Sequence, residues 1–185
     1  MIENPPRLEF LEYGALTAVT SSCRVTCRRR IVGCAFFNKH KVVVSTGYNG
    51  APAGAPQCDQ IGHLMVNGHC ERSTHAERNG VVFAGDRDLV DGYIFVTSRP
   101  CQDCFPLLIE MKIKYVYYLE EYRSEEFDAE QRKICKERGM ILEKLSYNVV
   151  ELFQKALDFH QGPGGLLIGK NKLRIIEDIP EMMDH

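Results

Sequence analysis

Two short stretches of this chain combine residue types that can hold a metal and move a proton: His75-Ala76-Glu77 and Pro100-Cys101-Gln102-Asp103-Cys104. His75, Cys101 and Cys104 offer one imidazole and two thiolates, a donor set that suits zinc. A structural zinc site closes its tetrahedron with four protein ligands, whereas a catalytic site leaves one position to water. Three ligands therefore predict an open position. Glu77 lies two residues beyond the histidine, close enough to exchange protons with water at the metal. Zinc lowers the pKa of a water it holds from about 15.7 towards about 7. Such a pair suits hydrolysis, with Glu77 moving protons between the water and a leaving group. A Cys-x-x-Cys pair alone reads as readily as a closed zinc site or a redox pair. The His-x-Glu half and the proline ahead of Cys101 favour the open site.

The elements that must position these residues follow from periodicity. Leu8, Leu11, Ala15, Leu16 and Val19 recur at helical spacing and predict a helix from Leu8 to about Cys27. The β-rich runs Ile31 to Phe37 and Lys41 to Tyr48, joined at Asn38-Lys39-His40, predict a hairpin. The Gly/Pro-rich stretch from Asn49 to about Thr74 reads as one long loop. A short helix from His75 to about Ala84, stopped by Gly85, precedes a strand at Tyr93 to Ser98. Next come a helix at Cys101 to Met111, a strand at Tyr115 to Leu119, and a charged helix from about Ser124 to Arg138. A strand at Met140 to Leu145 and a helix at about Val149 to His160 complete the order. This predicts a three-layer α/β/α domain with a mixed five-stranded sheet over residues 1–160. Residues 161–185 are expected to form a tail that packs on the domain or on a neighbouring subunit. Both motif halves fall at predicted helix starts, where partial positive charge favours thiolates. Cys101 and Cys104 are expected to share one helical face.

Composition narrows the partners. The 185 residues suit one domain, and no apolar run approaches the roughly 18 residues that cross a membrane. The N-terminus lacks the basic and then apolar layout of a signal peptide, so a cytoplasmic protein is expected. Its 8 cysteines are then expected to be reduced, and clusters of them to bind metal or do chemistry. A formal net charge of -2 argues against a polynucleotide partner. Arg28-Arg29-Arg30 is adequate for one phosphate, although such a triplet also occurs as a solvated face. Cys27, Cys58, His63, His69 and Cys70 gather around the long loop, and a second zinc there would hold it in order. The expected set is Cys27, Cys58, His63 and Cys70, with His69 able to replace either of the last two. The alternative is scattered loop residues and small buried thiols. Cys23, Cys34 and Cys135 read as core or surface residues.

His-x-Glu followed by Pro-Cys-x-x-Cys is the pattern of zinc-dependent nucleobase deaminases. Further segments sharpen it: Val32-Gly33-Cys34, Thr46-Gly47-Tyr48-Asn49-Gly50-Ala51-Pro52-Ala53-Gly54, His69-Cys70-Glu71-Arg72, His75-Ala76-Glu77-Arg78-Asn79 and Glu120-Glu121-Tyr122. With them the chain resembles the deoxycytidylate (dCMP) deaminase family, including its phage and bacterial competence-protein members, over about Arg7 to Leu145. The resemblance implies a cytidine-deaminase-like fold and zinc-dependent hydrolysis of dCMP to dUMP and ammonia, with Glu77 as the acid-base. It implies substrate contacts at Asn49 (deoxyribose or phosphate), Ala76, Tyr122 closing over the nucleotide, and Arg30 or its neighbours on the 5′-phosphate. It places Cys27 and Cys58 at positions that hold a structural zinc in some members. It also implies a homo-oligomer and a response to dCTP and dTTP bound beside Gly47, Tyr48 and Gly50. Against the effectors, Asp86 stands where responsive members tend to carry a basic residue, and its carboxylate would repel a triphosphate. Arg78 and Gly80 depart from the usual Leu and Ala. The alternatives are a deaminase of 5-methyl-dCMP or dCTP, or a non-catalytic zinc module that binds nucleotides.

Overall fold

Side-chain alternation along the strands sorts this chain into layers. The structure, a computed structural model, describes residues 5–85, 87–122, 125–169 and 174–175. Its elements run α1 (Phe10–Ser22), β1 (Gly33–Phe37), β2 (Val43–Tyr48), α2 (Cys58–Ile61), β3 (Met65–Val66), β4 (His69–Cys70) and α3 (Ala76–Ala84). They continue with β5 (Tyr93–Ser98), α4 (Phe105–Glu110), β6 (Tyr115–Glu120), α5 (Glu125–Arg138), β7 (Ile141–Lys144) and α6 (Val149–Gln161). The main sheet has the order β2-β1-β5-β6-β7. β1 runs antiparallel to β2 and β5, and the remaining pairs are parallel, so the sheet is mixed and five-stranded as predicted.

Cys34, Phe36, Ile94, Val96, Val116 and Tyr118 point to one face and pack with Ala76 and Ala84 of α3, Phe105 and Leu108 of α4, and Cys135 of α5. Ala35, Phe37, Phe95 and Tyr117 point the other way, onto Ala15 and Ala18 of α1 and Leu152 of α6. Phe10 sets its ring edge-on against Phe37, Tyr93 and Phe95. Helices thus cover both faces, which gives the three predicted layers. Helix α1 ends at Ser22, short of the predicted Cys27, where Thr20 and Ser22 turn their hydroxyls back onto the carbonyls of Leu16 and Val19.

The predicted long loop is not featureless. It holds the single turn α2 and the hairpin β3-β4, closed by Asn67 (φ 47°) and Gly68 (φ 80°). Asn-Gly with both residues at positive φ is a two-residue hairpin turn. The flanking strands are two residues each, too short to show a period.

Helix α3 sits unusually close to β2. A Cβ at Gly47 would strike the Ala76 carbonyl and the Gly80 backbone, and one at Gly80 would strike the Phe36 ring. Alanine does not fit at position 80 because the Phe36 ring fills that space. Ser45 Oγ donates to the Gly80 carbonyl at 2.7 Å, and Asn79 Nδ2 donates to the Tyr48 carbonyl at 2.9 Å. These contacts fix the start of α3, from which His75 and Glu77 project.

Helices α1 and α6 are joined by Lys155 Nζ and Glu12 Oε2 at 2.7 Å. The Lys155 ammonium holds the Glu12 carboxyl below its ordinary value. A carboxyl lowered on folding adds stability above its unfolded pKa and loses it as pH falls through the folded one. Glu12→Gln is expected to cost about 0.5–1 kcal/mol in urea unfolding at pH 7, and the difference to vanish below the carboxylate range. An undiminished difference at pH 3 would show that packing, not charge, is responsible.

Of the tail, Leu167 N donates to the His160 carbonyl at 2.9 Å and Ile175 N to Gln154 Oε1 at 2.7 Å, so its described part folds onto α6. Most of the segment from Lys170 to His185 lies outside the described residues. Among the described residues no helix is long and apolar enough to cross a membrane.

Candidate active site

His75 is the N-cap of α3 and has extended backbone angles (φ -69°, ψ 152°). Cys101 and Cys104 do not share a helical face, which corrects the prediction. Helix α4 starts at Phe105, and the cysteines lie in the turn before it, where the Cys101 carbonyl accepts from Cys104 N at 3.1 Å and Phe105 N at 2.9 Å. Pro106 is the reason. A helix begun at Cys101 would need a proline N–H to bond the Gln102 carbonyl, whereas in the first turn that N–H is not required. The turn brings both sulfurs to 3.3 Å from His75 Nδ1. All three donor atoms lie within 4.8 Å of one another.

The electrostatics call for a cation. Hydrogen bonding from Cys104, aided by His75, draws the Cys101 thiol down to about 3. Cys101 and burial push Cys104 well up. Two thiolates beside the Glu77 carboxylate need a divalent ion, and the donor set fits zinc. Glu77, in the first turn of α3, is only 4% exposed, and burial raises its carboxyl above the ordinary value.

His75, Glu77 and Cys101 line one cleft of about 620 Å³, which also reaches Arg30, Asn49, Ala76 and Tyr122. Arg30 stacks over the Tyr122 ring at 4.6 Å and donates to the Glu121 carbonyl, forming one wall. Asn49 is largely engaged by the chain. Its Oδ1 accepts from Val32 N at 2.9 Å and its Nδ2 donates to the Cys27 carbonyl at 2.8 Å, leaving one N–H and one lone pair for a ligand. Ala76 is fully buried, and its carbonyl accepts from Cys34 Sγ at 3.3 Å. Arg29 lines the cleft too, bonded to the Gly68 carbonyl, whereas Arg28 does not line it. Gly47, Tyr48 and Gly50 are not among its lining residues; Gly47 and Gly50 are buried by the chain itself. Asp86 lies outside the described residues, and the adjacent Arg87 donates to the Val44 carbonyl at 2.6 Å.

Cys27, Cys58, His63 and Cys70 form a second group with all donor atoms within 4.8 Å. Cys27 Sγ is 3.6 Å from His63 Nδ1, and Cys70 Sγ is 3.7 Å from both His63 Nδ1 and Cys58 Sγ. Zn–S bonds of about 2.3 Å and Zn–N of about 2.0 Å in a tetrahedron give edges of about 3.5–3.8 Å. The four ligands stand at zinc spacing and leave no position open. Burial and the neighbouring Cys70 and Cys27 thiols push Cys58 up to about 12, while the His63 hydrogen bond helps bring Cys70 down to about 6. His69 is not in this group; it lines the cleft, as Cys70 also does.

Sequence inspection missed a buried polar network behind Cys101. Arg99, 2% exposed, pairs with Asp128 at 2.8 Å and Glu121 at 3.2 Å and donates through Nε to Gln131 Oε1 at 2.8 Å. Gln131, fully buried, donates to the Pro100 carbonyl at 2.8 Å, and Tyr118 OH donates to Glu121. The available signal was an arginine between an apolar strand and Pro-Cys.

Residues 9–120 match the family model for the cytidine and deoxycytidylate deaminase zinc-binding region. The chain is 32% identical to ComE operon protein 2 of Bacillus subtilis over 169 residues, covering 89% of this chain and 85% of that protein. It is also 32% identical to the deoxycytidylate deaminase of Mycobacterium phage D29 over 126 residues, 62% of this chain and 98% of the phage protein. The crystal structure of the dCMP deaminase of cyanophage S-TIM5 in complex with dCMP and dUMP superposes with a TM-score of 0.62 at 25% identity. That match covers 76% of this chain and 99% of the phage chain. With five strands in the same mixed sheet, an open His-Cys-Cys group and a buried glutamate at one cleft, the chain belongs to the cytidine and deoxycytidylate deaminase family.

Proposed function

We propose that this chain hydrolyses dCMP to dUMP and ammonia, with His75, Cys101 and Cys104 holding zinc and Glu77 transferring protons. The observation that carries this is the open three-ligand group beside a carboxylate that burial keeps ready to accept a proton. When bound, zinc supplies the Lewis acidity that activates a water. Glu77 accepts a proton from water, delivers it to ring N3, and carries another to the departing amine. Ala76 and the remaining N–H of Asn49 contact the nucleotide, and Tyr122 with Arg30 covers it, Arg30 meeting the 5′-phosphate. Cys27, Cys58, His63 and Cys70 hold a structural zinc that keeps this wall in shape. A module that only bound zinc would gain nothing from a buried glutamate beside an open ligand position.

The exposed Val82 and Phe83 on α3, 73% and 57% accessible, support a homo-oligomer. The buried Gly47 and Gly50 and the side-chain bond of Arg87 speak for weak dependence on dCTP. Zinc-loaded protein is expected to release ammonia and form dUMP from dCMP at a rate that dCTP changes less than twofold, and to sediment as more than one chain. No ammonia from dCMP, with or without dCTP, would overturn the assignment.

A further inference from the structure

Among the described residues, the buried side-chain polar atoms without a partner are Ser98 Oγ and Arg99 Nη2. They are consecutive, 5% and 2% exposed, and both line the active-site cleft. Burying a donor without a partner is costly, and native proteins rarely leave one so. Two such atoms on consecutive residues of a cleft wall point to a ligand there.

We propose that Ser98 and Arg99 form a donor subsite that takes a hydrogen-bond acceptor carried by the substrate's pyrimidine ring. This rests on the deaminase reading. Three features select a ring acceptor over the phosphate. Ser98 ends β5 on the face shared by Ile94 and Val96, the face on which α3 sits, and the chain reaches Cys101 three residues later. The subsite therefore borders the reacting end of the cleft, while Arg30 and Tyr122 form the wall assigned to the phosphate. The charge of Arg99 is already opposed by Glu121 and Asp128, so one cation faces two carboxylates. A dianionic phosphate would be repelled there, whereas a neutral oxygen would not. Two ring oxygens have this chemistry: the 2-carbonyl of any cytosine, and an oxygen on a C5 substituent.

The test is calorimetric binding to zinc-loaded Glu77→Gln protein, which holds nucleotide without turnover, alone and combined with Ser98→Ala or Arg99→Lys. The ligands are dCMP, 2-thio-dCMP and 5-hydroxymethyl-dCMP. Arg99→Lys keeps the charge opposite Glu121 and Asp128 while removing Nη2 and the Nε bond to Gln131, and Ser98→Ala removes only an unpartnered hydroxyl. If the 2-carbonyl is the acceptor, both substitutions weaken dCMP about tenfold, and 2-thio-dCMP binds weakly and equally to all three proteins. If a C5 oxygen is the acceptor, 5-hydroxymethyl-dCMP binds about tenfold tighter than dCMP, and both substitutions abolish that preference. In either case Ser98→Ala leaves Tm unchanged or raised, because the hydroxyl has no partner in the fold. Unchanged affinities for dCMP and 5-hydroxymethyl-dCMP in both variants, or a Ser98→Ala Tm that falls with affinity, would overturn the subsite. Failure of the wild type to turn over dCMP that it binds would count against the deaminase assignment alone. Failure to bind all three nucleotides would remove both.

Discussion

Replacing Glu77 by glutamine is expected to lower kcat on dCMP by about 10³- to 10⁴-fold while zinc content and dCMP affinity stay close to those of the wild type. Glutamine keeps the size and one acceptor of the carboxylate but cannot accept a proton, so only the transfer steps are lost. The fold should not suffer. Glu77 is buried on α3 between the sulfurs and the helix backbone, and its burial raises its carboxyl above the ordinary value. A raised carboxyl costs the folded state nothing below its unfolded pKa; the penalty grows as pH rises from that value towards the folded pKa and is constant above it. Metal-free Glu77→Gln protein should therefore melt higher than metal-free wild type at pH 7 and at the same temperature at pH 4. Steady-state kinetics, metal analysis and two melting curves decide this. Residual turnover within tenfold of wild type would assign the proton transfers to another group.

The second large effect is expected at the closed group. Cys58→Ser should reduce bound zinc from two ions per chain to one, lower Tm by about 10 °C, and raise KM for dCMP at least tenfold. The physical path runs through the loop. Cys27, also in this group, gives its carbonyl to Asn49, Cys70 and His69 line the cleft, and Arg29 anchors to the Gly68 carbonyl of the intervening turn. Without the metal, the span from Cys58 to Cys70 is tied down mainly by two-residue strands and turn bonds. Protease should then cut between Pro52 and Thr74 before any other site. Cys23→Ser, at an exposed thiol in no ligand group, should change none of these readouts. A wild-type protein with one zinc per chain would remove the closed site.

Residue type and spacing carry metal chemistry unusually well, and this explains what could be read before the fold was known. His75, Cys101, Cys104, Glu77 and the set Cys27, Cys58, His63 and Cys70 stand out because few side chains bind zinc, and the structure gathers them into two groups. The strands of the main sheet were visible as well, since buried strands of Phe, Ile, Val and Tyr look like little else. Tyr93–Ser98 matches to the residue, and α3 stops at Gly85 as its φ of 62° requires.

Other features lie in pairings across distance. Pro106 already excluded a helix through the Cys pair, but placing that pair against His75 needed α3 pressed onto β2, which Gly47 and Gly80 permit. The choice of His63 over His69 came from which imidazole the loop brings to the three thiols. Asn49 looked free for a ligand until its partners Val32 and Cys27 closed on it. Arg99 looked like one more charged residue until α5 brought Gln131 and Asp128 to it across 32 and 29 positions of chain. The sequence by itself singled out the candidate donors, the candidate proton carrier and the strands, because those depend on residue type and local period. The tertiary structure decided which donors meet, which amides are already occupied and which buried polar atoms lack a partner, because a hydrogen bond depends on where the chain's distant parts come to rest.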